Sequence, residues 1–98
     1  MIVIVYGAPG SGKNYYVDNF ISKDKIVIDE AHNHNFKNYK FLDNKDYFII
    51  VQNLILLEKN VRDKADLFVH CEITDDDNLG VVRFITKIFS DKYMNDVL

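Results

Sequence analysis

The feature that most constrains the fold of this chain is a glycine-rich loop that directly follows an apolar segment. Residues 2–6 (IVIVY) are apolar, and residues 7–13 (GAPGSGK) contain three glycines and a proline. A short β-branched run bounded by such a loop predicts a buried strand. Glycines at this spacing let the backbone turn sharply and direct successive N–H groups inward. We therefore expect a strand, a tight loop and a helix, in that order.

The same loop has the chemistry of a phosphate cradle, because inward N–H groups bind anions and the lysine can reach phosphate oxygens. The spacing is G-x-x-x-x-G-K, followed by Asn14 where the usual pattern has a Ser or Thr that binds Mg²⁺. Asn14 offers an amide oxygen instead and is a candidate metal ligand. A glycine-rich turn that carries a lysine by chance is the alternative. The residues predicted to bind a phosphate-containing cofactor are Gly7, Ala8, Pro9, Gly10, Ser11, Gly12, Lys13, Asn14 and Tyr15.

Length and composition predict one globular domain over residues 1–98, with no general attraction to nucleic acid. The chain is 48% hydrophobic and carries a formal net charge of −3. One cysteine, Cys71, excludes an internal disulfide and fits a reducing compartment. No signal peptide is recognised, and no segment approaches the about 18 apolar residues of a membrane span. We therefore expect a cytoplasmic protein without a membrane span.

Hydrophobic patterning predicts an α/β fold with a mostly parallel sheet of four to five strands, because strands alternate with helices. The central strand is expected at 47–52, where the apolar run is continuous. Strands are predicted at residues 2–6, 25–29, 47–52 and 67–74, helices at 11–21 and 54–65, and a loop at 31–46. The apolar helix faces are predicted to consist of Tyr16, Val17, Phe20 and Ile21 in the first helix, and Leu54, Leu57 and Val61 in the second.

The C-terminal segment admits two interpretations. Residues 81–89 (VVRFITKIF) are rich in β-branched and aromatic residues, which favours a strand that pairs back on 67–74 across an acidic turn at 75–80. The same apolar positions also fit one face of a helix. We favour the β-hairpin, with a short helix from Ser90 onward.

Polar residues follow two of the predicted strands, at the edge where parallel sheets bind ligands. Asp29 ends an apolar strand, where a charge is costly, and in a phosphate site it would hold Mg²⁺. Glu30 could deprotonate a water that attacks the terminal phosphate. Gln52 can donate to that phosphate or to the water. Helix N-capping for the acidic pair and a satisfied polar strand end for Gln52 are the alternatives.

Other polar residues give weaker signals. Arg62, on the predicted second helix, is a candidate arginine finger for a neighbouring subunit, with a solvent-facing arginine as the alternative. His32 and His34 are predicted to be solvated loop residues because no matching Cys or His cluster accompanies them. His70 is predicted to be a packed or edge residue within its strand.

Three segments, GAPGSGKN, IVIDEAHN and DYFIIVQNLILLEKNVRD, together resemble the Walker A, Walker B and sensor segments of P-loop NTPases. More narrowly, they resemble the zonula occludens toxin-like branch of the FtsK–HerA class, within the P-loop NTPases that have an additional strand and a catalytic glutamate. That branch includes assembly ATPases of filamentous phages and is related to viral DNA-packaging motors. The resemblance covers about residues 1–74.

This resemblance implies a three-layer P-loop core in a reduced form, with ATP and Mg²⁺ as cofactors. The implied roles are phosphate binding by Gly7, Gly10, Gly12 and Lys13, Mg²⁺ coordination by Asp29, catalysis by Glu30, and sensing by Gln52. It also implies an oligomeric ATPase, with DNA or a virion component as partner. Two features depart from the family: Asn14, and the absence of the strand and helix that normally separate Walker A from Walker B.

The function expected from the sequence is therefore ATP hydrolysis in DNA packaging, DNA export or virion assembly. A nucleotide or nucleoside kinase shares the phosphate loop, but such kinases usually need an arginine-rich lid, and this chain has only Arg62 and Arg83. A nucleotide-binding scaffold with little turnover is a further alternative, which Asn14 and the short chain favour.

Overall fold

The computed structural model describes residues 1–76 and 81–90, in which one sheet of five strands is flanked by short helices. The strands lie in the order β2-β3-β1-β4-β5, and all neighbours are parallel except β4 and β5, which form an antiparallel hairpin. The strands are β1 (Ile2–Tyr6), β2 (Lys25–Ile28), β3 (Asp46–Val51), β4 (Leu67–Asp76) and β5 (Val81–Ser90). The helices are α1 (Lys13–Asn19) and α2 (Lys59–Arg62), with 3₁₀ turns at Ala31–Asn33 and Leu54–Leu56.

Both faces of the sheet are covered, because alternate side chains of the central strands enter two separate apolar clusters. On one face, Val3 and Val5 of β1 pack with Val17 of α1. On the other, Ile4 of β1 packs beneath the loop after β2 and beneath the segment that contains α2. A strand buried on both faces must be apolar at every position, which is what residues 2–6 show. The predicted α/β class with a mostly parallel sheet is confirmed.

The first helix is shorter than predicted. It ends at Asn19 instead of residue 21, because Phe20 turns to an extended conformation and packs on Phe48, with ring centroids 4.8 Å apart. The amino group of Lys25 caps this end by donating to the carbonyls of Val17 at 2.8 Å and Phe20 at 3.2 Å. Ile21, which the helical pattern placed on the inner face, is 97% exposed.

The predicted helix at 54–65 is wrong as a single element, although its buried positions are right. The side chain of Asn53 accepts the N–H of Ile55 and starts a 3₁₀ turn, and Leu57 then adopts an extended conformation before α2 begins. Leu54, Leu57 and Val61 are all buried. Burial of Leu57 against the sheet outweighs helical continuity, because a helix this short gains little from its own hydrogen bonds.

The C-terminal hairpin is confirmed over the described residues. β5 pairs with β4 from Leu67↔Ser90 to Asp76↔Val81. Asp75 and Asp76, predicted as part of a turn, belong to β4. Ser90, predicted to start a helix, is the last residue of β5, and the rest of the predicted turn and helix lies outside the described residues.

No helix within residues 1–76 and 81–90 has both the length and the apolar character needed to cross a bilayer. This agrees with the expected lack of a membrane span. The cytoplasmic location stays a prediction.

Candidate functional site

The loop between β1 and α1 has a backbone that its glycines make possible. Gly7, Gly10 and Gly12 have φ angles of 156°, 76° and 91°, which side-chain-bearing residues rarely adopt. Gly7 also lies against the carbonyl oxygen of Cys71, so that a Cβ atom at this position would collide with it. The close approach of the loop to β4 therefore depends on the absence of a side chain at Gly7.

Lys13 folds back over this loop. Its Nζ atom donates to the carbonyl oxygen of Gly7 at 2.6 Å and to that of Ala8 at 3.0 Å. Burial lowers the pKa of Lys13 from its usual 10.5, and attraction to Cys71 and Asp29 opposes this shift. The ammonium group is thus held at the mouth of the loop, where a bound anion would meet it.

A cavity of about 200 Å³ adjoins the loop and is formed where three segments meet. The strand pairs Tyr6↔Val51 and Ile28↔Ile49 bring the ends of β1, β2 and β3 to the same edge of the sheet. The lining residues are Pro9, Gly10, Lys13, Asn14, Asp29, Glu30, His32, Ile50, Val51 and Gln52. Five residues expected from the sequence to act on a phosphate or a metal, namely Lys13, Asn14, Asp29, Glu30 and Gln52, therefore line one cavity.

The backbone after β2 is strained in a way that fixes the acidic pair. Glu30 has a φ of 48°, a left-handed conformation that is costly for a residue with a side chain. A carboxylate oxygen of Asp29 accepts the N–H of Glu30 at 2.8 Å, and the carbonyl of Glu30 accepts the N–H of Asn33 at 2.9 Å. Strain at a position that lines a polar cavity is typical of functional sites.

The donor set around the cavity fits a hard divalent cation. Asp29 supplies a carboxylate and Asn14 an amide oxygen, and Mg²⁺ prefers oxygen ligands, of which phosphate oxygens can supply the remainder. Within the described residues, no cluster of three or more His, Cys, Asp or Glu side chains is placed to hold a metal alone.

The other predicted site residues lie outside this cavity. Tyr15 is 76% exposed on α1. Ser11 is buried, and its hydroxyl has no hydrogen-bond partner within the described part of the chain. Arg62 is only half-exposed, in contrast to the solvent-facing alternative, and its Nε atom is buried without a partner among the described residues. The structure does not bring Arg62 to the cavity of its own chain.

Two larger cavities adjoin the loop. One, of about 300 Å³, is lined by Gly10 to Tyr15 and continues the loop surface away from the strand ends. The other, of about 630 Å³, is lined mainly by the aromatic side of α1 and by Thr86 of β5. The larger of these brings together few polar groups. The 200 Å³ cavity is the better candidate for chemistry because the charged residues converge there.

His32, predicted to be a solvated loop residue, is exposed and also lines the candidate cavity, which its sequence pattern did not indicate. A usable signal was its position four residues after the last residue of β2, at the ligand-binding edge of the sheet. His34 packs against Phe36, with ring centroids 4.5 Å apart. His70 stacks on Tyr6 at 4.6 Å, as its predicted packed role requires.

Comparison with known proteins adds no relative to this picture. No protein-family model matches the chain, and neither curated proteins nor solved structures show a significant match to it.

Proposed function

We propose that this chain is a P-loop ATPase that binds ATP at the glycine-rich loop and hydrolyses it in the adjoining cavity. The observation that carries the proposal is the convergence of Lys13, Asn14, Asp29, Glu30 and Gln52 on one cavity of about 200 Å³. These side chains come from three separate segments of the sequence. A cation, two carboxylates and two amides beside a glycine-rich loop include groups that can bind phosphate, orient a water and accept its proton.

The strand order supports the narrower assignment. β3, which leads into Gln52, lies between β1, which leads into the loop, and β2, which leads into Asp29 and Glu30. A strand inserted between the Walker A and Walker B strands is the feature after which the additional-strand class is named. The reduced P-loop core that the resemblance implies is therefore compatible with the observed sheet.

Each residue has a distinct role in the proposed reaction. The loop N–H groups and Lys13 bind the phosphates, and the ammonium stabilises negative charge that develops on them. Glu30 accepts a proton from the attacking water as a general base. Gln52 orients that water or the terminal phosphate. Asp29 and Asn14 would hold a Mg²⁺ ion, which neutralises phosphate charge when bound.

The proposed biological setting follows from the resemblance to phage assembly ATPases and DNA-packaging motors. Such a role needs several copies of the chain and a DNA or virion partner. Arg62, which lies outside the cavity of its own chain, would then act in the site of a neighbouring copy. Sedimentation with and without Mg-ATP, combined with phosphate release, tests this part: a nucleotide-dependent oligomer with turnover supports it, and an inert monomer contradicts it.

Replacing Lys13 by Ala tests the site itself. We expect nucleotide affinity, measured by calorimetry, to fall about 10- to 100-fold because a charge-assisted hydrogen bond contributes about 1.5–3 kcal/mol. Phosphate release should fall with it. Lys23→Ala removes an exposed lysine outside the cavity and should change neither quantity. Phosphate release that survives Lys13→Ala would contradict the assignment of the site.

Asn14 favours a second candidate function, a nucleotide-binding module with little turnover. If the amide oxygen is a poor Mg²⁺ ligand, Asn14→Thr should restore the usual hydroxyl and raise Mg²⁺-dependent phosphate release about tenfold, which is about 1.4 kcal/mol. Asn14→Ala, which removes the oxygen, is the matched control and should not raise it. Tight ATP binding without turnover in both the native chain and Asn14→Thr would favour the binding module.

A further inference from the structure

His32 occupies a fixed position in the candidate cavity, although its side chain is exposed. It lies in the middle of the 3₁₀ turn Ala31–Asn33. Hydrogen bonds hold this turn on both sides, from the N–H of Asn33 to the carbonyl of Glu30 at 2.9 Å and from the N–H of His34 to that of Ala31 at 3.0 Å. The buried methyl group of Ala31 anchors the turn to the core. His32 is therefore held beside the cavity by a hydrogen-bonded turn that is anchored to the core.

Of the three side chains that the segment after β2 contributes to the cavity, only that of His32 can donate a hydrogen bond when the carboxylates are ionised. The lining residues from the segment after β2 are Asp29, Glu30 and His32. Ionised carboxylates only accept hydrogen bonds, whereas an imidazole carries at least one N–H donor whether or not it is protonated. Within the described residues, Lys13 is the only lysine or arginine that lines the cavity. A highly anionic group placed between these walls would be bonded from the loop side by Lys13 and would meet two carboxylates on the other side.

We propose that His32 donates a hydrogen bond to the terminal phosphate of a bound nucleoside triphosphate and thereby gives the site a preference for triphosphate over diphosphate. The inference rests on the proposed function and adds the residue that distinguishes the two nucleotides. The neutral imidazole of His32 has the N–H donor that this bond needs. The loop holds the phosphates common to both nucleotides, and the strand-end cavity receives the additional one.

The test measures a preference and not only an affinity. Dissociation constants for ADP and for a non-hydrolysable ATP analogue are measured by calorimetry with Mg²⁺, for the native chain and for His32→Ala. We expect His32→Ala to weaken binding of the triphosphate about 10- to 100-fold, the range for a hydrogen bond to a charged group, and to leave ADP binding unchanged. His32→Gln, whose amide retains an N–H donor, should recover part of the preference.

His34→Ala is the matched control. His34 lies two residues further on, packs against Phe36 and Tyr39, and does not line the cavity. This variant should lower the thermal unfolding temperature while leaving the preference for triphosphate intact. His32→Ala should show the opposite pattern, with an unchanged unfolding temperature and a reduced preference.

Three outcomes overturn the inference. If His32→Ala weakens the binding of both nucleotides equally, the residue acts through the fold or the loop. An unchanged preference in His32→Ala, with both nucleotides bound by the native chain, would remove His32 from recognition and leave the proposed function in place. A native chain that binds neither nucleotide would overturn the inference together with the proposed function.

Discussion

Replacing Glu30 by Gln is expected to reduce phosphate release about 10²- to 10⁴-fold, the range for loss of a general base, while nucleotide binding persists. The substitution keeps the size of the side chain and removes its ability to accept a proton. Phosphate release under single-turnover conditions measures the chemical step, and calorimetry measures binding. Release at the native rate in Glu30→Gln would exclude Glu30 as the base.

The unusual backbone at Glu30 provides a second variant that separates catalysis from folding. Glycine adopts a φ of 48° without steric cost. Glu30→Gly should therefore leave the free energy of unfolding unchanged or raise it by about 1 kcal/mol. Its phosphate release should nevertheless be lost. Glu58→Gln, which removes a carboxylate outside the cavity, should affect neither property. Greater stability with lost turnover would show that the strain at Glu30 is retained for function.

Replacing Gly7 by Ala is expected to have the largest effect on folding. Two costs combine at this position: a φ of 156°, which strains any other residue, and the collision of a Cβ atom with the carbonyl oxygen of Cys71. Each costs about 1–3 kcal/mol. Their sum is a large part of the about 5–15 kcal/mol by which a typical domain is stable. Urea denaturation monitored by circular dichroism should show this decrease in the free energy of unfolding.

Gly10→Ala is the control for this prediction, since Gly10 also has a positive φ, 76°, but a Cβ atom there would meet no other atom within 4 Å. The free energy of unfolding of Gly10→Ala should therefore fall only by the cost of a positive φ at a residue with a side chain, about 1–2 kcal/mol. Similar losses at the two glycines would contradict the close approach of Gly7 to β4. A larger loss at Gly7 supports the tight contact between the loop and the strand.

The sequence predicted the sheet and most of the site, because both depend on local signals. Continuous apolar runs marked β1 and β3, and the β-branched tail marked β5. The residues that follow β1, β2 and β3 could be placed at one edge because parallel strands end together. Lys13, Asp29, Glu30 and Gln52 were therefore predicted to lie close together, and they line one cavity.

The features that the sequence did not reveal depend on tertiary contacts. The helix after the loop ends early because Phe20 packs on Phe48, a residue distant in the sequence, and because Lys25 caps the last carbonyls. The second predicted helix is interrupted because Leu57 adopts an extended conformation that buries its side chain in the core. His32 is exposed, as predicted, but its turn is short and has no pattern of its own that would place it beside the cavity. Its place in the cavity follows from how the turn packs.

The contact of Lys13 with its own loop has a consequence for how an anion enters the site. The ammonium donates to the carbonyls of Gly7 and Ala8 with two of its three N–H groups, so that among the described residues the third remains available to an anion. The two bonds also support the backbone of the loop from within. Because an anion can be bound through the third donor without breaking either of these bonds, we expect the loop to keep its backbone conformation when a ligand enters.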